Sequence, residues 1–192
     1  MVALSGYTMV DLILGEQRET HWQKRIVDSL RGTRYSTFPR ALREVIGRYC
    51  DSGGNVFVSG AYIGTDLFTH QPVDSSRVAF AEKTLKFTWI TDHGAATGKV
   101  NAISNSFLPE GTSMEFMTEP NKEVYAVKAP DAIGPIGGSK LALRYSENQF
   151  GAATAFKDKY GAVVFGFPFE TIATQQWRNV VMEGVLKFFR VK

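Results

Sequence analysis

Residues 53–66 read Gly-Gly-Asn-Val-Phe-Val-Ser-Gly-Ala-Tyr-Ile-Gly-Thr-Asp, and this stretch sets the expectations for the rest of the chain. Its glycine pair, Gly53 and Gly54, is typical of the left-handed end of a helix. The apolar run that follows predicts a short buried strand. Residues 60–64 then have the form Gly-x-nucleophile-x-Gly, which predicts a strand-to-helix elbow whose central residue, Tyr62, is strained and points outward. Catalytic elbows carry Ser or Cys, so this one lacks its nucleophile.

The segments on either side of the elbow predict an α/β core. Residues 9–14 and 162–166 are apolar runs of the kind found in parallel sheets. Helical spacing of apolar residues after Pro39, and again after Thr174 as a cap, predicts one helix before the elbow and one at the end. Residues 65–74 read as a polar loop. In the middle of the chain, short β-type runs between turn signals predict added antiparallel strands. These runs are 85–90, 100–107, 113–117, 124–127, 141–145 and 152–156.

Composition narrows the classes of function. The chain has 192 residues, of which 44% are hydrophobic and 21% charged, with a net charge of +3. These values favour one globular domain over residues 1–192, and the dispersed Lys and Arg residues do not form the basic stripe that nucleic-acid binding needs. No apolar run approaches the ~20 residues of a membrane span, and residues 1–15 lack the pattern of a signal peptide. The single cysteine, Cys50, ends a predicted helix, which favours a structural role.

The candidate site lies where three loops should meet. Ligands of open α/β sheets bind beyond the carboxyl ends of the strands, which here are followed by residues 15–20, 60–66 and 167–171. Carboxylates and a phenol in these loops predict binding of a sugar or a cation, or acid–base chemistry. The alternative interpretation is that they only cap helices and stabilise turns. The catalytic candidates are Tyr62, Glu16 and Glu170, and the binding candidates are Gln17, Gly60, Thr65 and Asp66.

The histidines do not predict a metal centre. His21, His70 and His93 lie far apart in the sequence, without the spacing that metal ligands show. The sequence therefore predicts neither a metal site nor a bound cofactor.

Three features, in this order, resemble the class I glutamine amidotransferase-like fold: residues 10–15, the helix leading to the elbow, and residues 165–170. The resemblance implies a three-layer, flavodoxin-like α/β sheet, here with added antiparallel strands. In that family the first loop supplies the oxyanion site, the elbow carries Cys, and a His-Pro-Glu-like segment follows the last strand. This chain has Tyr62 at the Cys position and Glu170 without the His. A phenol of pKa ~10 is a poor nucleophile without a base, so we expect no glutaminase activity.

A closer resemblance is carried by Val-Asp-Leu-Ile-Leu-Gly-Glu-Gln (residues 10–17), Phe-Val-Ser-Gly-Ala-Tyr-Ile-Gly-Thr-Asp (57–66) and Phe-Gly-Phe-Pro-Phe-Glu-Thr-Ile (165–172). These segments look like the C-terminal part of large bacterial proteins named xanthan lyase-like, which are envelope or secreted proteins of polysaccharide-degrading bacteria. The resemblance implies an extracytoplasmic location and a non-catalytic or diverged domain for assembly or carbohydrate binding. The alternative is a polysaccharide lyase or hydrolase that uses Tyr62 with a nearby carboxylate.

The partners expected from the sequence are a polysaccharide and a second protein surface. The strand at residues 9–14 should lie beside a vacant position in the sheet, which proteins usually cover. The last helix carries Trp177, Phe188 and Phe189 on more than one side, which suits a contact surface. We therefore expect docking onto a preceding domain of a longer parent protein or onto a second copy of the chain.

Overall fold

The computed structural model describes residues 4–21, 33–70 and 74–191 and shows an α/β fold. Its helices are α1 (Arg40–Asp51), α2 (Ile63–Phe68), α3 (Ser75–Ala79), a π-helical turn at Phe80–Leu85 that continues α3, and α4 (Gln175–Phe189), with 3-10 turns at Leu4–Gly6 and Phe169–Thr171. Its strands are β1 (Met9–Gly15), β2 (Thr20–His21), β3 (Thr33–Tyr35), β4 (Asn55–Gly60), β5 (Phe87–Thr91), β6 (Lys99–Ala102), β7 (Ser113–Glu115), β8 (Ala132–Pro135), β9 (Lys140–Tyr145), β10 (Gly151–Lys157) and β11 (Gly161–Phe165). No helix in these ranges is long and apolar enough to cross a lipid bilayer.

Seven of the strands form one mixed sheet in the order β1-β4-β11-β10-β9-β6-β7. β1, β4 and β11 are parallel, so that Val58 of β4 lies between Leu12 and Val164. Every residue of β4 and β11 is buried, which explains why their sequences are nearly continuous apolar runs. The other neighbours in the sheet are antiparallel. The predicted combination of an α/β core with added antiparallel strands is therefore confirmed.

The antiparallel region differs from the prediction in three places, the first being that the run predicted at 100–107 forms a strand only as far as Ala102. Residues 124–127 form a loop and not a strand, and Val127 N–H in this loop donates to Met117 O at 2.8 Å. Conversely, β8 was not predicted, because its sequence Ala-Ile-Gly-Pro is short and shows no alternation. β8 pairs with β5 in a separate two-stranded sheet.

Both faces of the seven-stranded sheet are covered by apolar side chains. On one face, Phe57, Val163 and Phe165 pack with the buried side of α4. On the other face, Val56 and Val58 pack with the buried side of α1, including Cys50. This alternation along β4 and β11 turns successive side chains toward α4 on one face of the sheet and toward α1 on the other. The predicted structural role of Cys50 is consistent with its burial, which raises the pKa of its thiol to about 12.

The elbow has the predicted order of elements but not the predicted strain. β4 ends at Gly60, two turn residues follow, and α2 begins at Ile63. Tyr62 has φ −120° and ψ 27°, outside the left-handed region, so the expectation of a strained central residue was wrong. Ala61 N–H donates to Gly15 O at 2.9 Å, which ties the turn to the end of β1, and the left-handed residue at this junction is Gly15, with φ 58°. The preceding glycine end is confirmed, since Gly53 has φ 97°.

The loop predicted at residues 65–74 begins as helix, because α2 extends to Phe68. Thr65 and Asp66 belong to α2 and are buried, and Asp74 precedes α3, accepting from Ser76 N–H at 2.9 Å. Thr65 and Asp66 are polar, so the sequence favoured a loop. Their burial depends on hydrogen-bond partners 66 and 47 residues away, which a local pattern does not show. Residues 71–73 lie outside the described part of the chain.

Gly60→Val should destabilise the protein by about 2–4 kcal/mol because the elbow has no room for a branched side chain. A Cβ at this position would lie 3.1 Å from Leu14 Cβ, 3.2 Å from Gly15 O and 3.3 Å from Ile63 Cγ1. The measurement is the free energy of unfolding in urea. Gly6→Val is the matched control, because a Cβ there meets nothing within 4 Å. An unchanged urea midpoint for Gly60→Val would contradict the packing of the elbow.

The last helix is less available as a contact surface than its sequence indicated. Phe189 is buried, and the ring of Phe188 lies 5.6 Å from the ring of Phe107. Trp177 is only partly buried and also packs on the core. The first strand agrees with the prediction more closely. Among the described residues, β1 lies at one edge of the seven-stranded sheet, and its Ile13 side chain is 50% exposed.

Candidate functional site

An open cavity of about 410 Å³ lies at the carboxyl end of β1, and we call it the β1-end cavity. The end of β1 forms one wall, and two side chains from distant loops form the other. Its described lining consists of Ile13, Leu14, Gly15, Glu16, Gln17, Tyr125 and Glu170. Three of the residues expected at the site, Glu16, Gln17 and Glu170, are thus brought together where the α/β fold places ligands.

Glu170 is held by a tyrosine that the sequence did not indicate. The Tyr125 hydroxyl donates to Glu170 Oε1 at 2.6 Å, so one carboxylate oxygen is satisfied. The other, Oε2, is buried and has no hydrogen-bond partner among the described residues. Gly15, with φ 58°, allows this arrangement, because a Cβ there would lie 2.9 Å from the Tyr125 hydroxyl oxygen. The nearby Glu16 accepts a 3.3 Å hydrogen bond from Lys128 N–H.

Asp11 is a second carboxyl group, close enough to Glu170 for their charges to interact. It lies on β1, and its Oδ1 is also buried without a hydrogen-bond partner in the described chain. Burial, together with the negative charge of Glu170, raises the pKa of Asp11 to about 6. A carboxyl group with a raised pKa can keep its proton near neutral pH and can then both donate and accept hydrogen bonds. The apolar appearance of residues 9–14 hid Asp11 from the sequence-based search.

Asp11→Asn should flatten the pH dependence of stability. The pKa of Asp11 is raised from 3.8 to about 6 on folding, so its protonation favours the folded state and this contribution disappears as pH rises through about 6. The variant keeps a neutral side chain beside Glu170 at every pH. Its Tm relative to the parent should therefore rise between about pH 4 and pH 7 and then level off. Exposed Asp158→Asn is the control, and a pH-independent difference for Asp11→Asn would contradict the raised pKa of Asp11.

Tyr62 is not among the lining residues of this cavity, and within the described chain its hydroxyl is not hydrogen-bonded to a carboxylate. The Arg18 guanidinium lies 5.1 Å from the centre of its half-buried ring, a cation–π contact. Burial, followed by the charge of Glu16, raises the pKa of Tyr62. A raised pKa makes the phenolate, and therefore a base, harder to form. Among the described residues, the tyrosine paired with a carboxylate is Tyr125.

The remaining candidates, Thr65 and Asp66, serve the interior. Asp66 Oδ2 accepts from Glu19 N–H at 2.7 Å and from the Thr37 hydroxyl. Burial raises the pKa of Asp66. The Thr65 hydroxyl donates to Asp131 Oδ1 at 2.6 Å. Both side chains therefore make structural contacts inside the protein, although neither of them caps α2.

Asp131 organises the elbow, although no sequence pattern indicated this role. Its buried carboxylate accepts from Gly64 N–H at 2.6 Å, Thr65 N–H at 3.1 Å and Trp89 Nε1–H at 3.0 Å, besides the Thr65 hydroxyl. Burial raises the pKa of Asp131 to about 7, although these donors act in the opposite direction. The partners are more than 40 residues apart along the chain in every case, so no local motif marks the network.

The histidines do not converge. His70 Nδ1 lies 2.7 Å from Glu19 Oε1, and His93 Nδ1 lies 2.9 Å from the exposed Asp92. The side chain of His21 falls outside the described part of the structure. Within residues 4–21, 33–70 and 74–191, no three His, Cys, Asp or Glu side chains are grouped so as to hold a metal ion.

Comparisons with known proteins bear on the fold. No protein-family model and no curated protein sequence matches the chain. Among solved structures, it is similar to the mmIFT52 N-terminal domain, with a TM-score of 0.56 and 13% identity over 98% of this chain and 79% of that one. Another similar structure is the exo-β-1,4-mannosidase Op5Man5 from Opitutaceae bacterium strain TAV5, with a TM-score of 0.49 and 8% identity over 99% of this chain and 26% of the enzyme. The first similarity supports an α/β fold like that of the mmIFT52 domain.

Proposed function

We propose that this chain is a non-catalytic or diverged amidotransferase-like domain, with a flavodoxin-like sheet, that binds carbohydrate in the β1-end cavity. Its setting is an extracytoplasmic, polysaccharide-related bacterial protein. The support for the setting is the resemblance of residues 10–17, 57–66 and 165–172 to xanthan lyase-like proteins. The support for carbohydrate as the ligand comes from the lining of the cavity.

The observation that carries the proposal is the unused acceptor Glu170 Oε2. A buried carboxylate oxygen without a donor costs free energy, and a sugar hydroxyl would supply the missing hydrogen bond. Gln17, Glu16 and Tyr125 add donors and acceptors around it. Ile13 is 50% exposed and Tyr125 is 36% exposed, so apolar surface is also available to the face of a sugar ring.

The state of Tyr62 favours binding over catalysis. A lyase or hydrolase that used Tyr62 as a base would need its hydroxyl hydrogen-bonded to a group that assists deprotonation. Within the described chain, its hydroxyl has no such contact, and its pKa is raised by burial and by Glu16. The catalytic alternative would be supported by depolymerisation of an acidic polysaccharide that is lost in Tyr62→Phe.

The test of the proposed function is binding to a glycan array, followed by calorimetric titration of the glycans that bind. Glu170→Gln keeps the shape of the side chain but removes its charge and one acceptor. Loss of about tenfold or more in affinity is expected, as for a hydrogen bond to a charged group. Glu119→Gln, at an exposed position outside the cavity lining, is the matched control. Equal affinity of the two variants, or no glycan bound, would exclude this site.

The edge position of β1 supports assembly as a second role. An edge strand with exposed apolar side chains is a surface that proteins usually cover. We expect the chain to self-associate at micromolar concentration, which light scattering behind size exclusion measures. Ile13→Lys should shift the equilibrium toward the monomer, whereas Ile90→Lys, on a strand of another sheet, should not. If the unsubstituted chain remained strictly monomeric at these concentrations, the result would contradict self-association.

A further inference from the structure

A larger cavity, of about 850 Å³, lies between α1 and the α3 segment, and we call it the α1–α3 cavity. It is separate from the β1-end cavity, since the two share no lining residue. Its lining is rich in basic and hydroxyl side chains. The described residues around it are Ser36, Pro39, Arg40, Arg43, Glu44, Asp74, Ser76, Arg77, Ala79, Phe80, Lys83 and Thr84.

Two buried arginines form the floor of this cavity. The side chains of Arg43 and Arg77 are only 9% and 7% exposed. Arg43 is held in place by donating to Phe38 O at 2.8 Å and to Ser76 Oγ at 3.0 Å. Arg77 is anchored by Glu19, whose Oε2 lies 2.5 Å from Arg77 Nη1. Both guanidinium groups are therefore positioned before any ligand arrives, which lowers the entropic cost of binding.

The hydrogen bonds of the cavity are incomplete. Arg77 Nε is buried and makes no hydrogen bond within the described chain; the ion pair to Asp74 Oδ2 is long, at 3.5 Å. Arg43 Nη2 is also distant from the same oxygen, at 3.4 Å. One half-exposed carboxylate thus serves two buried guanidinium groups at the outer limit of hydrogen bonding.

Positive charge is in excess around the cavity. The four cations Arg40, Arg43, Arg77 and Lys83 outnumber the carboxylates near them, which are Asp74 and Glu44 in the lining and Glu19 beside Arg77. Glu44 is already paired with Arg40 at 2.6 Å in a solvent-exposed bridge that contributes little. Burial, and then the neighbouring Arg77 and Arg40 charges, lower the pKa of Arg43 in spite of Asp74. An additional negative group would relieve this repulsion.

We propose that the α1–α3 cavity binds an oxyanion: a carboxylate, sulfate or phosphate group. The planar guanidinium groups of Arg43 and Arg77 suit such a group because they donate paired hydrogen bonds. The Ser36 hydroxyl supplies a further donor, whereas the Ser76 hydroxyl already donates to Asp74 Oδ1 at 2.6 Å. The exposed Arg40 and Lys83 add positive charge at the rim of the cavity. This site goes beyond the carbohydrate site at β1 and does not depend on it.

The experiment titrates the whole chain by calorimetry with inorganic phosphate, sulfate and a glucuronic acid oligosaccharide, each at constant ionic strength with chloride as the background anion. Saturable binding of at least one probe is expected. Lys83→Ala and Arg40→Ala change exposed rim residues, so they should fold normally and weaken binding about fivefold or more each. Arg48→Ala removes an equal charge from an exposed position on α1 outside the lining and should bind as the parent does.

The three probes distinguish the source of the oxyanion. Tighter binding of the oligosaccharide than of phosphate supports a site for an acidic sugar, and the reverse order supports a site for a free tetrahedral anion. Saturable binding that Lys83→Ala and Arg48→Ala weaken equally would overturn the proposal, because it would show a response to net charge alone. Absence of saturable binding by all three probes would also overturn it.

Discussion

Asp131→Ala should destabilise the protein by about 3–5 kcal/mol, the range expected when a buried carboxylate is removed from several donors at once. The substitution would leave the backbone N–H groups of Gly64 and Thr65 without an acceptor; they lie 2.6 and 3.1 Å from Asp131 Oδ2 in the folded protein. It would also remove the acceptor of the Trp89 indole N–H, which lies 3.0 Å from Asp131 Oδ1. Each unsatisfied buried donor costs about 1–3 kcal/mol, and relaxation of the structure recovers part of the total.

The free energy of unfolding from urea titration, followed by circular dichroism, measures this effect. Asp131→Asn keeps the shape and one acceptor, so it should lose less than Asp131→Ala. Asp158→Ala, at an exposed turn, is the control and should stay within about 0.5 kcal/mol of the parent. If Asp131→Ala unfolded at the same urea concentration as the control, the network would not be what holds the elbow together.

Gly166→Ala should be at least as damaging, at about 4 kcal/mol or more, because the new methyl group would meet rigid backbone. A Cβ on residue 166 would lie 2.1 Å from Asp131 O and 3.1 Å from Asp131 C. The same two residues are joined by a 2.7 Å hydrogen bond from Asp131 N–H to Gly166 O. Separating the chains enough to admit the methyl group would break this bond and disturb the network around the Asp131 carboxylate.

The same denaturation assay applies, with the yield of folded protein as a second measurement in case the variant does not accumulate. Gly47→Ala is the matched control: residue 47 lies within α1, and a Cβ there meets nothing within 4 Å. It should stabilise the protein by about 0.5–1 kcal/mol, because alanine is the better helix former. Equal stability of the Gly166→Ala and Gly47→Ala variants would show that the loop before β8 can move away without cost.

The site was only partly predictable. The sequence identified Glu16, Gln17 and Glu170 because each of them follows the carboxyl end of a predicted parallel strand. Ligands of open α/β sheets bind at that edge, so the order of helices and strands was sufficient for this prediction. Tyr125 and Asp11 were missed for different reasons. Tyr125 lies in a run predicted as a strand, and Asp11 lies inside an apolar strand. Thr65 and Asp66 were near the right place in the chain, but α2 turns them toward the interior.

The sequence by itself determined the elements whose signals are local. α1 follows Pro39 with apolar residues at helical spacing, and α4 begins after Thr174, whose hydroxyl accepts from Trp177 N–H at 3.2 Å. β4 and β11 were recognisable as unbroken apolar runs, because strands buried on both faces need apolar residues at every position. In each case the physical cause acts within a few residues, so a short window of sequence contains it.

The tertiary structure alone decided which polar groups meet. The contact between Tyr125 and Glu170 joins residues 45 apart, and the contact between Gly64 and Asp131 joins residues 67 apart. In the sequence, a polar residue in such a pair cannot be distinguished from one that is exposed to solvent. Hydrophobic periodicity indicates the face of a helix or strand on which a residue lies, but not its neighbours in the fold. The free energy of burying a carboxylate depends on those neighbours. For this reason both cavities, their charges and the support of the elbow became visible only in the folded chain.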